Sequence, residues 1–249
     1  MALAREVTDY LLKHHRDIVA VLLEGSTAKG EDRDHSDLEM SVITKSKSET
    51  RYYQCIFEGI VIEAGFAAED ESLAEAGRLV RNWPIAADAR TGSVALYDPH
   101  GLLPRLAALA ANPDWSSASE AFGATMTSFY EDVCKMRNFV AAGEDRMAHF
   151  MGPHTVRHAA NFLGLLNRQH FNGDRNLLTK PRDFTTVPPH FWDDYPALLA
   201  SEGSARELLA HAERLYNGCR ELWVATGLAS PPATRLEDAL DRGRVARRD

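Results

Sequence analysis

Residues 22–42, LLEGSTAKGEDRDHSDLEMSV, restrict the possible folds of this chain more than any other stretch. The apolar runs 18–23 and 38–43 are too short for ordinary helices and read as buried strands. Side chains alternate along a strand, so Asp37 and Glu39 project together while Leu38 and Met40 face a core. Two carboxylates held side by side repel each other unless a cation lies between them. Mg²⁺ is commonly bound by one or two carboxylates together with substrate phosphates. Between the strands, Gly25-Ser26 opens a turn whose backbone N–H groups and hydroxyl suit phosphate oxygens. A phosphate grip beside a metal grip supplies the parts of a nucleotidyl-transfer site.

The rest of the chain fits around this unit. With 249 residues it is long enough for one large domain or two modest ones. The predicted order up to residue 113 is α-β-β-β-β-α-β-α, an α+β fold with a small mixed sheet. The helices are predicted over 7–17, 69–80 and 102–111, with Ala28-Lys29 beginning a further short one. Strands are predicted over 18–23, 38–43, 51–57, 60–66 and 92–97, the third and fourth paired antiparallel about Glu58-Gly59. Asn82-Trp83-Pro84 reads as a helix breaker. Beyond residue 116 no strand pattern persists. Helices are predicted over 119–142, 146–170 with an interruption at Gly152-Pro153, 195–201 and 204–226. The predicted division is therefore a domain over 1–113 and a helical substrate-binding domain over 114–249.

Composition narrows the function classes. No window reaches the ~18 consecutive apolar residues of a membrane span, and the N-terminus lacks signal-peptide order. Cys55, Cys134 and Cys219 are widely spaced and odd in number, which argues against a disulfide framework or a zinc site and for the reducing cytoplasm. A net charge of −8 argues against a nucleic-acid coat protein and suits a cationic small substrate. The last nine residues, DRGRVARRD, read as a frayed polar tail.

Three further groups carry potential chemistry. Glu63 lies in the otherwise apolar run IVIEAGF, where an ionised side chain must face solvent or a cleft. Glu131 and Lys135 are i and i+4 on one predicted helix. Such a pair is ordinarily a surface contact worth ~0.2–0.5 kcal/mol, but it also suits a base and a phosphate clamp. The lysine keeps the carboxylate ionised, and its ammonium can offset charge on phosphoryl oxygens. Asp132 competes for the base role but points about 100° away around the helix. His149, His154 and His158 read as structural or substrate-facing, and His14-His15 as a solvated helix end.

Gly25-Ser26 followed by Ser36-Asp37-Leu38-Glu39 resembles the signature of the nucleotidyltransferase superfamily related to DNA polymerase β. The longer pattern resembles the kanamycin nucleotidyltransferase family of aminoglycoside 4′-O-nucleotidyltransferases. It comprises GSTAKG, SDLEM, Asn82-Trp83-Pro84-Ile85, Leu96-Tyr97-Asp98, Phe129-Tyr130-Glu131 with Lys135-Met136-Arg137-Asn138, Asn217-Gly218 and Glu221-Leu222-Trp223. The resemblance implies a nucleotide site at Gly25, Ser26, Lys29 and Ser36, and Mg²⁺ ligands at Asp37 and Glu39. It further implies Glu131 as general base, Lys135 on the α-phosphate, and substrate contacts at Glu63, Thr127 and Ser128. Lys29 stands where the family carries an arginine, and Thr127 and Ser128 where it carries acids. The resemblance implies a homodimer acting on an NTP, with ATP expected, and an aminoglycoside, with no nucleic-acid or membrane partner. The competing readings are transfer to another hydroxylated antibiotic such as a lincosamide, and an antitoxin-type nucleotidyltransferase acting on a protein.

Overall fold

Five strands form one mixed sheet: β1 (Ile18–Leu23), β2 (Leu38–Thr44), β3 (Tyr52–Phe57), β4 (Ile60–Ala68) and β5 (Val94–Tyr97). Their spatial order is β3-β4-β2-β1-β5, and only the β2–β4 pair is parallel. This computed structural model describes residues 1–171, 173, 176, 180–229, 235–237 and 240. The polar tail falls outside the described residues.

Alternation along the strands divides the sheet into two faces. Val21, Leu23, Leu38, Met40, Val42, Ile62 and Ala64 pack with Ala4 and Leu11 of α1 (Ala2–His14). On the opposite face Ala20, Leu22 and Ile43 pack with α3 (Glu69–Ala76) and α6 (Leu102–Ala111). Glu39, Ser41 and Glu63 alternate with the α1-facing residues and stay half-buried. The acids therefore sit on the face that α1 does not cover.

The short elements differ from expectation. The turn after β1 is itself a single helical turn, α2 (Gly25–Ala28), so it begins before Ala28. The helix predicted over 69–80 ends at Ala76, because Gly77 and Arg78 turn to pair with Asp114: Asp114 N donates to Gly77 O at 2.8 Å. Asn82-Trp83-Pro84 starts a helix instead of breaking one. Pro84 lies in the first turn of α4 (Trp83–Ala86), where its missing N–H costs nothing. A second short helix, α5 (Asp88–Thr91), follows before β5.

From Ala118 onward the long elements of the described residues are helices: α7 (Ala118–Ala142), α8 (Asp145–Leu166), α9 (Phe191–Ala200) and α10 (Ala205–Ala225). Their shared core holds Phe122, Phe129, Met136, Phe162, Leu198, Leu208 and Leu215, and it takes in Leu79, Trp83 and Ala87 from the preceding segment. Trp83 is anchored to the sheet side by its Nε1–H bond to Ala110 O at 2.7 Å. Ser204 and Glu207 form a reciprocal capping box at the start of α10.

The interruption expected at Gly152-Pro153 is absent, and α8 runs through it. A proline at 153 removes the N–H that would reach His149 O. The hydroxyl of Ser201, just past α9, donates to that carbonyl at 2.8 Å. Gly152 makes room for this approach: a Cβ there would lie 2.7 Å from Leu198 O. No helix among the described residues is long and apolar enough to cross a membrane.

Candidate active site

Gly25 has φ +68°, a conformation that disfavours any side chain. A Cβ at Gly25 would lie 2.2 Å from Glu39 Oε2. Glycine is thus required twice, once by the turn and once by the carboxylate that lies against it. Glu24 N donates to Glu39 O at 2.9 Å, tying the end of β1 to β2. Ser26 Oγ lies 3.4 Å from Ser36 Oγ, which also accepts the Arg33 N–H at 2.9 Å. Thr27 Oγ1 donates to Asp37 O at 3.2 Å. The loop between β1 and β2 is folded back by its own hydroxyls, bringing Ser26, Ser36 and Asp37 together.

Asp37 is exposed immediately before β2, and Glu39 is half-buried behind it. Glu63 sits beside Glu39 because the parallel β2–β4 register pairs the two residues. Gln54, opposite on β3, donates to Glu63 Oε1 at 2.5 Å. Burial first, then the charges of Asp37, Glu24 and Glu63, push the Glu39 carboxyl above its ordinary range, and Lys29 opposes them. A site that makes a carboxylate costly to ionise in this way suits a bound cation. Among the described residues no group of three or more His, Cys, Asp or Glu side chains could hold a metal ion by itself. Two carboxylates completed by nucleotide phosphates are the ordinary Mg²⁺ arrangement, and Asp37 with Glu39 fits it.

Three residues at this site escaped the sequence reading. Glu24 is held by Arg90 and by Ser41, both through its Oε1. Asp88 forms a mostly buried ion pair with Lys29. Arg90 and Asp88 come from α5, more than 55 residues after Lys29, and no local signal links them to the turn. Glu24, Gly25, Ser26, Lys29, Glu31, Glu39 and Asp88 line a cavity of about 320 Å³.

Glu131 and Lys135 lie on α7, both well exposed, with Nζ–Oε1 2.9 Å. The lysine holds the Glu131 carboxyl below the usual carboxylate range, first by its hydrogen bond and then by its charge. Thr127 is exposed, and Ser128 Oγ accepts a bond from Arg81 Nη1 at 2.8 Å. The charges that act on Glu131 come from Lys135 and from His158 of α8, whereas those acting on Glu39 come from the sheet, Glu24 and Lys29. The structure thus gathers the predicted residues into two groups, one on the sheet and one on α7. His149 is occupied with Ser201, and His154 lies against Phe150.

A mixed sheet that presents a Gly-Ser turn and paired acids, joined to a helical bundle, is the architecture of a nucleotidyltransferase. The KNTase C-terminal domain family matches residues 100–228, and the chain belongs to that family. Two relatives, each named "Aminoglycoside nucleotidyltransferase (4′)", come from Staphylococcus aureus and a Bacillus species. Each is 21% identical over 226 residues, covering 89% of this chain and 88% of the relative. Among solved structures, a nucleotidyltransferase-like protein from Exiguobacterium sibiricum shares the fold with a TM-score of 0.54 at 14% identity, covering 91% of this chain and 76% of that one.

Proposed function

We propose that the protein transfers a nucleoside monophosphate from Mg-ATP to the 4′ hydroxyl of an aminoglycoside, releasing pyrophosphate and inactivating the drug. The observation that carries this reading is the Glu39 carboxyl, crowded by Asp37, Glu24 and Glu63 and laid against the Gly25 turn. The acceptor class and the 4′ position follow the names of the two relatives.

In this reading Asp37 and Glu39 hold Mg²⁺, which when bound offsets charge on the phosphates. Gly25, Ser26, Ser36 and the turn amides hold the triphosphate, with Lys29 released from Asp88 to join them. The acceptor oxygen attacks the α-phosphorus as the bond to the β-phosphate oxygen breaks. Glu131 takes the hydroxyl proton, and Lys135 lies against the α-phosphate. Glu63, Thr127 and Ser128 contact the cationic acceptor. General-base catalysis of this kind contributes ~10²–10⁴-fold, and the remainder is positioning and charge stabilisation.

The same reading makes the protein a homodimer in the cytoplasm, with Glu131 and Lys135 of one copy serving the nucleotide of the other. One observation supports this. The edge strand β3 exposes Tyr52, Ile56 and Phe57, and an open apolar edge is a pairing surface.

The test is incubation with Mg-ATP and, separately, kanamycin, tobramycin and amikacin, following pyrophosphate release and product mass. One added adenylyl group on the drug is expected. Absence of product with every aminoglycoside, alongside transfer to a lincosamide or a protein, would overturn the acceptor assignment.

A further inference from the structure

Asp132, the competing candidate for the base role, points away from Glu131 around α7. It is instead one of the most buried acids of the described chain, at 7% exposure. Its two oxygens are divided between two partners. Oδ1 accepts a bond from Lys135 Nζ at 3.3 Å, and Oδ2 accepts one from His158 Nε2 at 3.1 Å. Lys135 therefore lies between two acids, exposed Glu131 on one side and buried Asp132 on the other.

We propose that Asp132 and His158 are a positioning pair that holds Lys135, and through it Glu131, at the acceptor side of the nucleotidyl-transfer site. The proposal rests on the roles given to Glu131 and Lys135 above.

A lysine paired with a single exposed acid is loosely held, because solvent competes and the stem keeps its freedom. Asp132 changes this. A buried carboxylate is costly unless both oxygens are bonded, so Asp132 keeps its partners. Its own position is fixed from behind. The His158 ring lies nearly parallel to that of Phe129 at 6.3 Å, and Phe129 is fully buried edge-on against Tyr216 at 5.4 Å. A chain of contacts thus runs from the bundle core through His158, Asp132 and Lys135 to Glu131 at the surface.

Charge supports the same arrangement. The groups acting on His158 are Asp132 and Glu131 from α7, Arg81 from the segment before α4, and His154 on its own helix. Burial, aided by Arg81 and His154, holds His158 below its ordinary range despite Asp132. A neutral His158 donates one hydrogen bond and leaves the charge of Asp132 to Lys135. Lys135 is then shared between Asp132 and Glu131, which fixes the ammonium beside the Glu131 carboxylate.

The experiment compares wild type, Asp132→Asn, His158→Gln and His158→Ala in steady-state transfer from Mg-ATP to the best aminoglycoside. It also follows the His158 ring titration by NMR in wild type and in Lys135→Met. Asp132→Asn is expected to lower kcat by roughly 10- to 100-fold, with KM for both substrates within about twofold. His158→Gln, whose amide still donates to Asp132, is expected to retain severalfold more kcat than His158→Ala. Lys135→Met, an exposed change that leaves the bundle intact, is expected to raise the pKa of His158, because the charge of Asp132 is then no longer offset by Lys135. Wild-type kcat in Asp132→Asn, or a His158 titration indifferent to Lys135→Met, would overturn the proposal. Wild type inactive on every aminoglycoside would instead overturn the functional reading, and the catalytic meaning of the pair with it.

Discussion

At the scale of single residues, Gly25 and Glu131 make the sharpest demands. Alanine at 25 must adopt a left-handed backbone, which costs about 1–2 kcal/mol, and must displace the Glu39 carboxyl. Gly25→Ala is therefore expected to lower stability by about that amount while cutting kcat/KM far more, read by urea denaturation against steady-state rates. Glu131 is held ionised below the usual carboxylate range by Lys135. Removing the lysine returns its pKa upward. The acid limb of the pH–kcat profile should accordingly move to higher pH in Lys135→Met, whatever its maximal rate. An unmoved limb would remove Glu131 as the group that sets it.

At the scale of elements, α8 shows how one sequence signal is overridden by a distant one. Gly152-Pro153 has the chemistry of a helix break, yet the carbonyl that Pro153 leaves free is satisfied by Ser201, almost fifty residues later. Ser201→Ala should cost about 1–2 kcal/mol, since it leaves the His149 carbonyl without that partner. The readout is the urea midpoint, with the m-value unchanged. A loss near zero would mean that solvent replaces the hydroxyl. Long periodic elements such as α6, α7 and α10 were legible within a residue or so, because propensity, pattern and capping agree there. The elements shorter than one periodic repeat, α2, α4 and α5, were not, because tertiary contacts decide them.

At the scale of the whole molecule, the question is how two residue groups become one site. Asp37→Asn and Glu131→Gln are each expected to be nearly inactive alone. If each site draws on both copies, mixing the two variants after unfolding and refolding together should restore roughly a quarter of wild-type turnover, because half the dimers then carry one intact site. No recovery in a sample shown to contain mixed dimers would place both groups in one chain. Net charge of −8 adds a steering field for a cationic acceptor, so the second-order rate should fall as salt rises.

The sequence alone determined the sheet unit, the paired acids and the Gly-Ser turn, because strand alternation and turn chemistry are local rules. It also determined that Glu131 and Lys135 share a helical face, which follows from spacing alone. Tertiary structure decided what surrounds them. The β2–β4 register set Glu63 beside Glu39, and α5 brought Asp88 to Lys29 and Arg90 to Glu24. The packing of α8 on α7 closed His158 over Asp132, turning a residue that points away from Glu131 into its support. Each of these depends on which distant segment packs against which. Burial, not spacing, sets the cost of leaving a charge unpaired, and burial exists only once the chain has folded.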